Sequence, residues 1–315
     1  MISLHRALDE YLALRRGLGT ELAGPGLALR RFVEFLQRQD AHHVTRELAL
    51  RWAVSAGAEP ATWAARLGHV RRFATWLSTI DSRTEVPPAE LLPYRVHRKP
   101  PYIYSDEEIE RLVRAAAKLP SPLGMRGVAF ATLYGLLAAT GMRVSEALGL
   151  DDEDVDLHAG VLRVRRTKFG KSRFIPVHES TRRALARYVH RRDQLLPRRP
   201  TNAFLVSDGG RRLGECAARH NFAKVSLQLG LRKRPAGGRR HGRGPRLHDM
   251  RHRFAAQRLI EWYRAGLDVE REIPRLATYL GHVHVNETYW YLQAVPELLQ
   301  LATERLQQSG PGMLS

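Results

Sequence analysis

Side chains suited to covalent chemistry at a phosphate are spread along the chain from residue 143 onward. They are, in chain order, Arg143, Lys168, His248, Arg251, His282 and Tyr291. A guanidinium is planar, bidentate and permanently charged, so a pair of them can hold the oxygens of a phosphate. Lysine or histidine can transfer a proton near neutral pH, and a phenol can act as a nucleophile. Together these residue types could cleave a phosphodiester without a metal ion.

The sequence motifs around these residues indicate their function more specifically than the residue types alone. Arg143 lies in TGMRVSEAL, Lys168 in RRTKFGKSRFIPV, and an H-x-x-R box in LHDMRH. The stretch LGHVHVNETYWYL then places Tyr291 nine residues after His282. In this order the motifs resemble the tyrosine recombinase (phage integrase) family. That family has an arginine box, a hairpin lysine, an H-x-x-R box, an L-G-H and a tyrosine nine residues later.

The resemblance implies a fold and a function. The expected fold is mostly α-helical with a small β-hairpin or sheet. It would comprise an N-terminal helical, SAM-like core-binding domain and a mixed α/β catalytic domain. The expected function is site-specific recombination of double-stranded DNA through a 3′-phosphotyrosyl intermediate, by a tetramer on two DNA sites or with related recombinase partners. Integration, excision or transposition of a mobile element would be its role.

Two assignments within this set have rivals on the same segments. The nine-residue spacing favours Tyr291 as nucleophile over Tyr289 and Tyr279. Flanking cations would lower the phenol pKa from its usual value of about 10. The family position favours Lys168 as general acid over Lys171. Arginine cannot release a proton at physiological pH, whereas the pKa of a lysine can be shifted toward neutrality.

The other candidates surround the phosphate. Arg143 and Arg251 are expected to hold its two non-bridging oxygens, and Glu146, one helical turn after Arg143, could hold that guanidinium in place. His248 would hydrogen-bond the phosphate or accept the tyrosine proton. His282 would donate to a non-bridging oxygen.

A metal site is the alternative interpretation of one histidine pair. His248 and His252 have the i, i+4 spacing of helical metal ligands, but they lie in no H-E-x-x-H motif. The only cysteine is Cys216, which excludes an intrachain disulfide framework and a thiolate cluster. We therefore expect neither a metal nor a cofactor.

Charge and hydropathy limit the partners and the compartment. The formal net charge is +19, and of the 51 basic residues only six are lysines. This excess predicts a polyanionic partner, although a GC-rich coding bias would also favour arginine. No apolar run reaches the roughly 18 residues of a membrane span, and the acidic residues near the N-terminus are unlike a signal peptide. We expect a soluble, cytoplasmic protein.

Apolar spacing and proline content divide the chain into parts, and the resemblance implies what each part does. The predicted parts are a helical core DNA-binding domain at 1–92, a linker at 93–103, a catalytic domain with a C-terminal tail helix at 104–308, and a flexible tail at 309–315. Four helices are expected in the first domain. Arg66, Arg71 and Arg72 on the fourth either face solvent or contact a DNA backbone.

Further elements are expected in the catalytic domain. Alternation over 161–177 predicts a β-hairpin with Gly170 in its turn. Helices are predicted from Ser105, over 127–140, and at about 179–196, 214–229, 247–265, 272–280 and 284–293, with a tail helix starting at Pro296. Pro274 is expected to start a fresh helix within an inserted turn. The Gly- and Arg-rich segment 232–246 is either disordered or ordered only on DNA.

Three interpretations concern assembly and activity. The tail helix either packs on its own domain or, as the resemblance favours, docks on a neighbouring protomer. A type IB topoisomerase would use similar chemistry as a monomer. A DNA-binding accessory factor that lost turnover would have no need of both Lys168 and Tyr291.

Overall fold

The computed structural model describes residues 3–55, 60–92, 100–165, 172–233 and 244–308. The chain divides into two compact units, residues 1–99 and 100–315. The first unit contains α1 (Leu4–Gly17), α2 (Ala23–Arg38), α3 (Arg46–Val54) and α4 (Pro60–Leu77). Ser3 and Thr45 accept backbone N–H bonds at the starts of α1 and α3, which satisfies donors that a helix leaves unpaired.

Buried aromatic side chains fill the core of the first unit. Tyr11, Phe32 and Phe73 are nearly inaccessible, and Trp52 packs on Phe32 with ring centroids 5.1 Å apart. These residues come from four different helices, each of which buries an aromatic side chain in this core. The four predicted helices are thus present.

The second unit is larger and contains nine α-helices and one short 3-10 helix (Asp152–Asp154) in its described part. The α-helices are α5 (Asp106–Ala117), α6 (Met125–Thr140), α7 (Val144–Gly149), α8 (Glu179–Leu195), α9 (Glu215–Gln228), α10 (Asp249–Arg264), α11 (Val269–Leu280), α12 (Asn286–Ala294) and α13 (Pro296–Gln308). Its three antiparallel strands are β1 (Val155–Asp156), β2 (Val161–Val164) and β3 (Arg173–Pro176), in that order across the sheet. The predicted fold class, mostly helical with a small sheet, is confirmed.

The apolar helix α6 organises the core of this unit. Leu133, Tyr134 and Leu137 are buried within it, as its composition predicts. A Cβ at Gly127 would lie 2.4 Å from the Ala117 carbonyl oxygen, so glycine here allows α5 to pack closely. Gly141 ends the helix with φ +62, a conformation that glycine adopts without strain.

The predicted hairpin is present as β2 and β3, which pair from Val161 with Pro176 to Val164 with Arg173. Its turn, with Lys168, Gly170 and Lys171, lies outside the described residues. The short strand β1 was not predicted, because two residues are too few for a recognisable alternation.

The prediction for Pro274 was wrong. Helix α11 begins at Val269 and includes Pro274 in its interior. Asp268 starts the helix instead, since its carboxylate accepts the backbone N–H groups of Glu270 and Arg271. Pro274 lacks the backbone N–H that would donate to the carbonyl of Glu270. This missing hydrogen bond lies only one turn from the start of α11, where the helix tolerates its loss.

The tail helix α13 starts at Pro296 as predicted and packs within its own unit in this single chain. Leu298 is fully buried among α10, α11 and α12 residues, and Glu297 pairs with Arg264 at 2.8 Å. Docking on a neighbouring protomer therefore stays a prediction.

Of the segment 232–246, residues 234–243 lie outside the described part. The side chain of Arg232 donates to the Pro245 carbonyl and so connects the two ends of this segment. Among the described helices, none has the length and apolarity needed to cross a bilayer.

Candidate active site

The carboxyl end of α11 is held by three arginines from distant parts of the chain. Arg173 Nε donates to the Tyr279 carbonyl at 2.7 Å, Arg251 Nη2 to that of Leu280 at 2.6 Å, and Arg143 Nη2 to that of Gly281 at 2.8 Å. These carbonyls belong to the negative end of the helix dipole and lack helical partners. The residue that follows them directly is His282, so the arginine cluster holds the backbone from which that imidazole extends.

Glu146 lies at the centre of this cluster. Its side chain is 7% exposed and accepts from Arg143 Nη1 at 2.8 Å and from Arg173 Nη2 at 2.7 Å. Burial alone would raise the pKa of this carboxyl, but hydrogen bonds and charge from Arg173 and Arg143 outweigh it, and the pKa lies below its usual value. The predicted support of Arg143 by Glu146 is present, and it includes a second arginine.

Arg251 is buried beneath the cluster, with 2% of its surface exposed. Besides Leu280, it donates through Nη1 to the Gly141 carbonyl at 2.9 Å. Burial, followed by the positive charge of Arg143, lowers its pKa to about 10. The guanidinium therefore stays charged at neutral pH.

The two predicted histidines differ in their surroundings. His248 directly precedes α10 and keeps access to solvent. Partial desolvation and then the charge of Arg251 lower its pKa, so its neutral form dominates at neutral pH. His282 lies 2.7 Å from the hydroxyl of the buried Thr288 through Nδ1. That contact orients its ring.

Tyr291 lies on α12, 2% exposed, with its hydroxyl 2.9 Å from Nδ1 of His252. It also interacts electrostatically with Arg251. Of its two rivals, Tyr279 stacks on Phe254 with ring centroids 5.4 Å apart, and burial raises its pKa to about 12. Tyr289 is 37% exposed on the same helix as Tyr291.

The structure thus brings together the predicted residues that it describes. Arg143 and Arg251 meet at the end of α11, directly before His282 in the chain, and Arg251 interacts electrostatically with His248 and Tyr291. Lys168 lies outside the described residues. In the described ranges, no group of three or more His, Cys, Asp or Glu side chains is placed to hold a metal ion. Two guanidiniums, two imidazoles and a phenol could bind a phosphate and attack it.

Sequence reasoning missed two residues of this site. Arg173 follows the hairpin turn and is one arginine in an arginine-rich segment, so its type gave no signal. His252 follows Arg251 and was considered only as a metal ligand. Its spacing of four residues from His248 places both rings on one helix face, and that spacing was the available signal.

A model of the phage integrase family matches residues 103–297. Two curated relatives are the putative integrase/recombinases y4rB and y4rE of Sinorhizobium fredii (strain NBRC 101917 / NGR234). The first is 44% identical and covers 98% of both chains; the second is 38% identical and covers 96% of this chain and 95% of its own.

Solved structures provide an independent comparison of the fold. The Tn1549 transposon integrase in complex with transposon right end DNA has a TM-score of 0.65 at 17% identity, covering 97% of this chain and 100% of its own. The XerH recombinase bound to palindromic difH substrate has a TM-score of 0.62 at 17% identity, covering 90% and 78%. At these identities the likeness concerns the fold alone.

Proposed function

We propose that this chain, which belongs to the phage integrase family and is a tyrosine recombinase, recombines specific DNA sites through a 3′-phosphotyrosyl intermediate at Tyr291. As a member of that family it is an enzyme that breaks and rejoins DNA strands. The observation that carries the finer proposal is the meeting of Arg143 and Arg251 at the carboxyl end of α11, directly before His282. The phenol of Tyr291 is coupled to the same cluster through Arg251.

The arginines would stabilise the charge that builds up when a fifth oxygen approaches phosphorus. Arg143 uses Nη1 on Glu146 and Nη2 on Gly281, and a guanidinium has five N–H donors, so its further donors can reach a phosphate oxygen. Its side chain is 30% exposed, which gives DNA access to it. His282 and His248 would complete the contacts to the non-bridging oxygens.

The bond changes follow from this arrangement. The Tyr291 oxygen attacks phosphorus and loses its proton, the bond from phosphorus to the 5′ oxygen breaks, and Lys168 gives a proton to that leaving oxygen. The segment on the 5′ side of the cut then stays attached to the tyrosine through its 3′ phosphate. Because the new ester retains the energy of the phosphodiester, the 5′ hydroxyl of another strand can reverse the reaction.

Double-stranded DNA is the substrate that we propose. The net charge of +19 favours a polyanion. DNA-bound recombinase structures share the fold. We further propose that the protein acts as a tetramer on two sites of a mobile element, in agreement with the names of its nearly full-length relatives as integrases or recombinases. The first unit, residues 1–99, would add contacts to the DNA backbone.

A nicked suicide substrate tests this proposal. The binding site is first selected from DNA that flanks the gene, by sequencing the fragments that the purified protein retains. Wild-type protein should then form a DNA adduct that survives denaturation, with or without EDTA. The adduct should carry a label placed on the segment 5′ of the cleavage point, because that segment keeps the 3′ phosphate. An adduct that carries the segment 3′ of the cleavage point, or no adduct, would contradict the proposal. Relaxation of plasmid that lacks the site, without strand exchange between sites, would indicate a topoisomerase instead.

A further inference from the structure

His252 contacts the atom that must become nucleophilic. Its Nδ1 lies 2.9 Å from the hydroxyl oxygen of Tyr291, a hydrogen-bond distance. The imidazole is half-buried on α10, and the phenol is 2% exposed on α12. The Tyr291 oxygen thus already has a hydrogen-bond partner that can accept a proton.

The ring of His252 is held from several sides. It meets the ring of Trp290 edge-on with centroids 5.5 Å apart, and that of His248 with centroids 4.7 Å apart. The Tyr291 ring lies 5.5 Å away at a tilt of 59°. Aromatic packing of this kind restricts rotation of the imidazole. The orientation that directs Nδ1 toward the phenol is therefore built into α10 and α12.

The chemistry of the proposed reaction requires such a group. A phenol of pKa about 10 is nearly all protonated at neutral pH, whereas an imidazole of pKa about 6.5 is mostly unprotonated. Of the charged and titratable groups near the pair, Arg251 on α10 interacts with Tyr291, and His248, which directly precedes α10, packs edge-on against His252. Around these two lie Arg143 and Glu146 of the arginine cluster, Arg173 of β3, and Arg246 and Asp249 beside His248. The positive charge of Arg251 favours a developing phenolate.

We propose that His252 is a catalytic residue, the base that takes the proton of Tyr291. This inference rests on the proposed function and extends it. As the Tyr291 oxygen forms its bond to phosphorus, the O–H bond breaks and Nδ1 of His252 becomes protonated. The 5′ oxygen leaves with the electron pair of its bond to phosphorus and takes a proton from Lys168. In the reverse step the imidazolium returns its proton to the phenol, so the cycle consumes no other reactant.

This assignment divides between two histidines the two roles that the sequence left open for His248. His248 is accessible to solvent at the start of α10 and suits a hydrogen bond to the phosphate. His252, one turn further into the helix, suits the proton of the buried phenol.

The variant His252→Asn tests whether His252 takes up the proton or only holds the phenol in place through a hydrogen bond. The amide oxygen of His252→Asn can occupy the place of Nδ1 and accept the phenol hydrogen bond, but it cannot take up the proton at neutral pH. The measurement is the single-turnover rate of adduct formation on the suicide substrate between about pH 5 and 9, with His252→Ala beside it. Thermal unfolding and non-covalent DNA binding report whether each variant is folded. His190→Asn, an exposed histidine on α8, is the matched control.

We expect both variants at position 252 to lose about 100-fold or more in rate and to lose the acidic limb of the pH profile, while binding DNA as wild type does. A more acidic fluorotyrosine at position 291 should restore part of the rate in His252→Asn. Rates of His252→Asn within about threefold of wild type, or an unchanged acidic limb, would overturn the proposal. Absence of any adduct with wild-type protein would instead overturn the proposed function, so the two failures are distinguishable.

Discussion

Arg173 and Glu146 form a buried ion pair, with Nη2 and Oε2 2.7 Å apart and side chains 12% and 7% exposed. Arg173 is the first residue of β3, and Glu146 lies on α7, three residues after Arg143. The pair therefore connects β3 to Arg143, the arginine that we propose binds the phosphate. In sequence, β3 follows the hairpin turn that contains Lys168. Through its bond to the Tyr279 carbonyl, Arg173 also ties that hairpin to α11.

Replacing Arg173 should affect both stability and catalysis. Arg173→Ala leaves the buried carboxylate of Glu146 with one partner fewer, and breaking such a pair costs about 3 kcal/mol in the free energy of unfolding. Denaturant unfolding measures that loss. Arg173→Lys keeps the charge but loses the planar, bidentate donors of the guanidinium. It should therefore be more stable than Arg173→Ala, yet still form adduct more slowly than wild type.

The control for Arg173 is Arg183→Ala. Arg183 pairs with Glu179 at 2.8 Å on the surface of α8 and is 70% exposed. Its loss should change stability by under about 0.5 kcal/mol. Equal effects of the two alanine variants would contradict the role given to Arg173.

Glu146→Gln should change how stability depends on pH. The pKa of Glu146 is depressed from its ordinary value of 4.5, so its stabilising effect is complete above that value. It is lost as pH falls through the lower pKa of the folded state. Unfolding midpoints measured from about pH 7 to 3 should show the difference between wild type and Glu146→Gln shrinking below about pH 4.5. A constant difference over the whole range would refute this explanation.

Gly281→Ala should disturb the arginine cluster. Gly281 has φ +68, and a Cβ there would lie 2.9 Å from Nη1 of Arg173. The left-handed conformation alone costs a non-glycine residue about 1–2 kcal/mol. We expect lower stability and slower adduct formation, measured by thermal unfolding and the suicide substrate.

Gly135→Ala is the matched control for Gly281→Ala. Gly135 lies inside α6, and a Cβ there meets nothing within 4 Å. Alanine should leave stability unchanged or raise it by up to about 1 kcal/mol. A loss equal to that of Gly281→Ala would mean that the strain argument is wrong.

Lys168→Ala should be rescued by a better leaving group. Without a general acid the 5′ alkoxide leaves slowly, and adduct formation should fall by about 10² to 10⁴. A substrate with sulfur at the bridging 5′ position releases a thiolate, which needs no proton because thiols have a pKa of about 8.5. The rate of Lys168→Ala should recover on that substrate. Lys171→Ala is the control; if it alone shows this pattern, Lys171 is the acid.

Local sequence signals predicted much of the fold. Ser105 and the acidic residues after it predicted the start of α5, which has a capping box with Glu108. The alternation around Ile175 predicted a hairpin, and the apolar run ending at Thr140 predicted a buried helix. These features depend on neighbours in sequence, which is why the sequence sufficed.

Contacts between distant segments could not be predicted in this way. Arg173 and the Tyr279 carbonyl are 106 residues apart, and Arg143 and the Gly281 carbonyl 138. Among so many arginines, residue type does not distinguish one that holds α11 from one that faces solvent. The likeness to a family indicated Arg143 and Arg251, whereas Arg173 and His252 became recognisable only through their distances to Glu146 and Tyr291.

The central claim is that Tyr291 is the residue that becomes linked to DNA. The most direct measurement is mass spectrometry of the adduct after digestion with a protease and a nuclease, which locates the nucleotide on the peptide that holds both Tyr289 and Tyr291. Wild-type protein and Tyr289→Phe should carry the nucleotide on Tyr291, and Tyr291→Phe should bind the site without forming any adduct. A nucleotide on Tyr289, or an adduct that persists in Tyr291→Phe, would contradict the assignment.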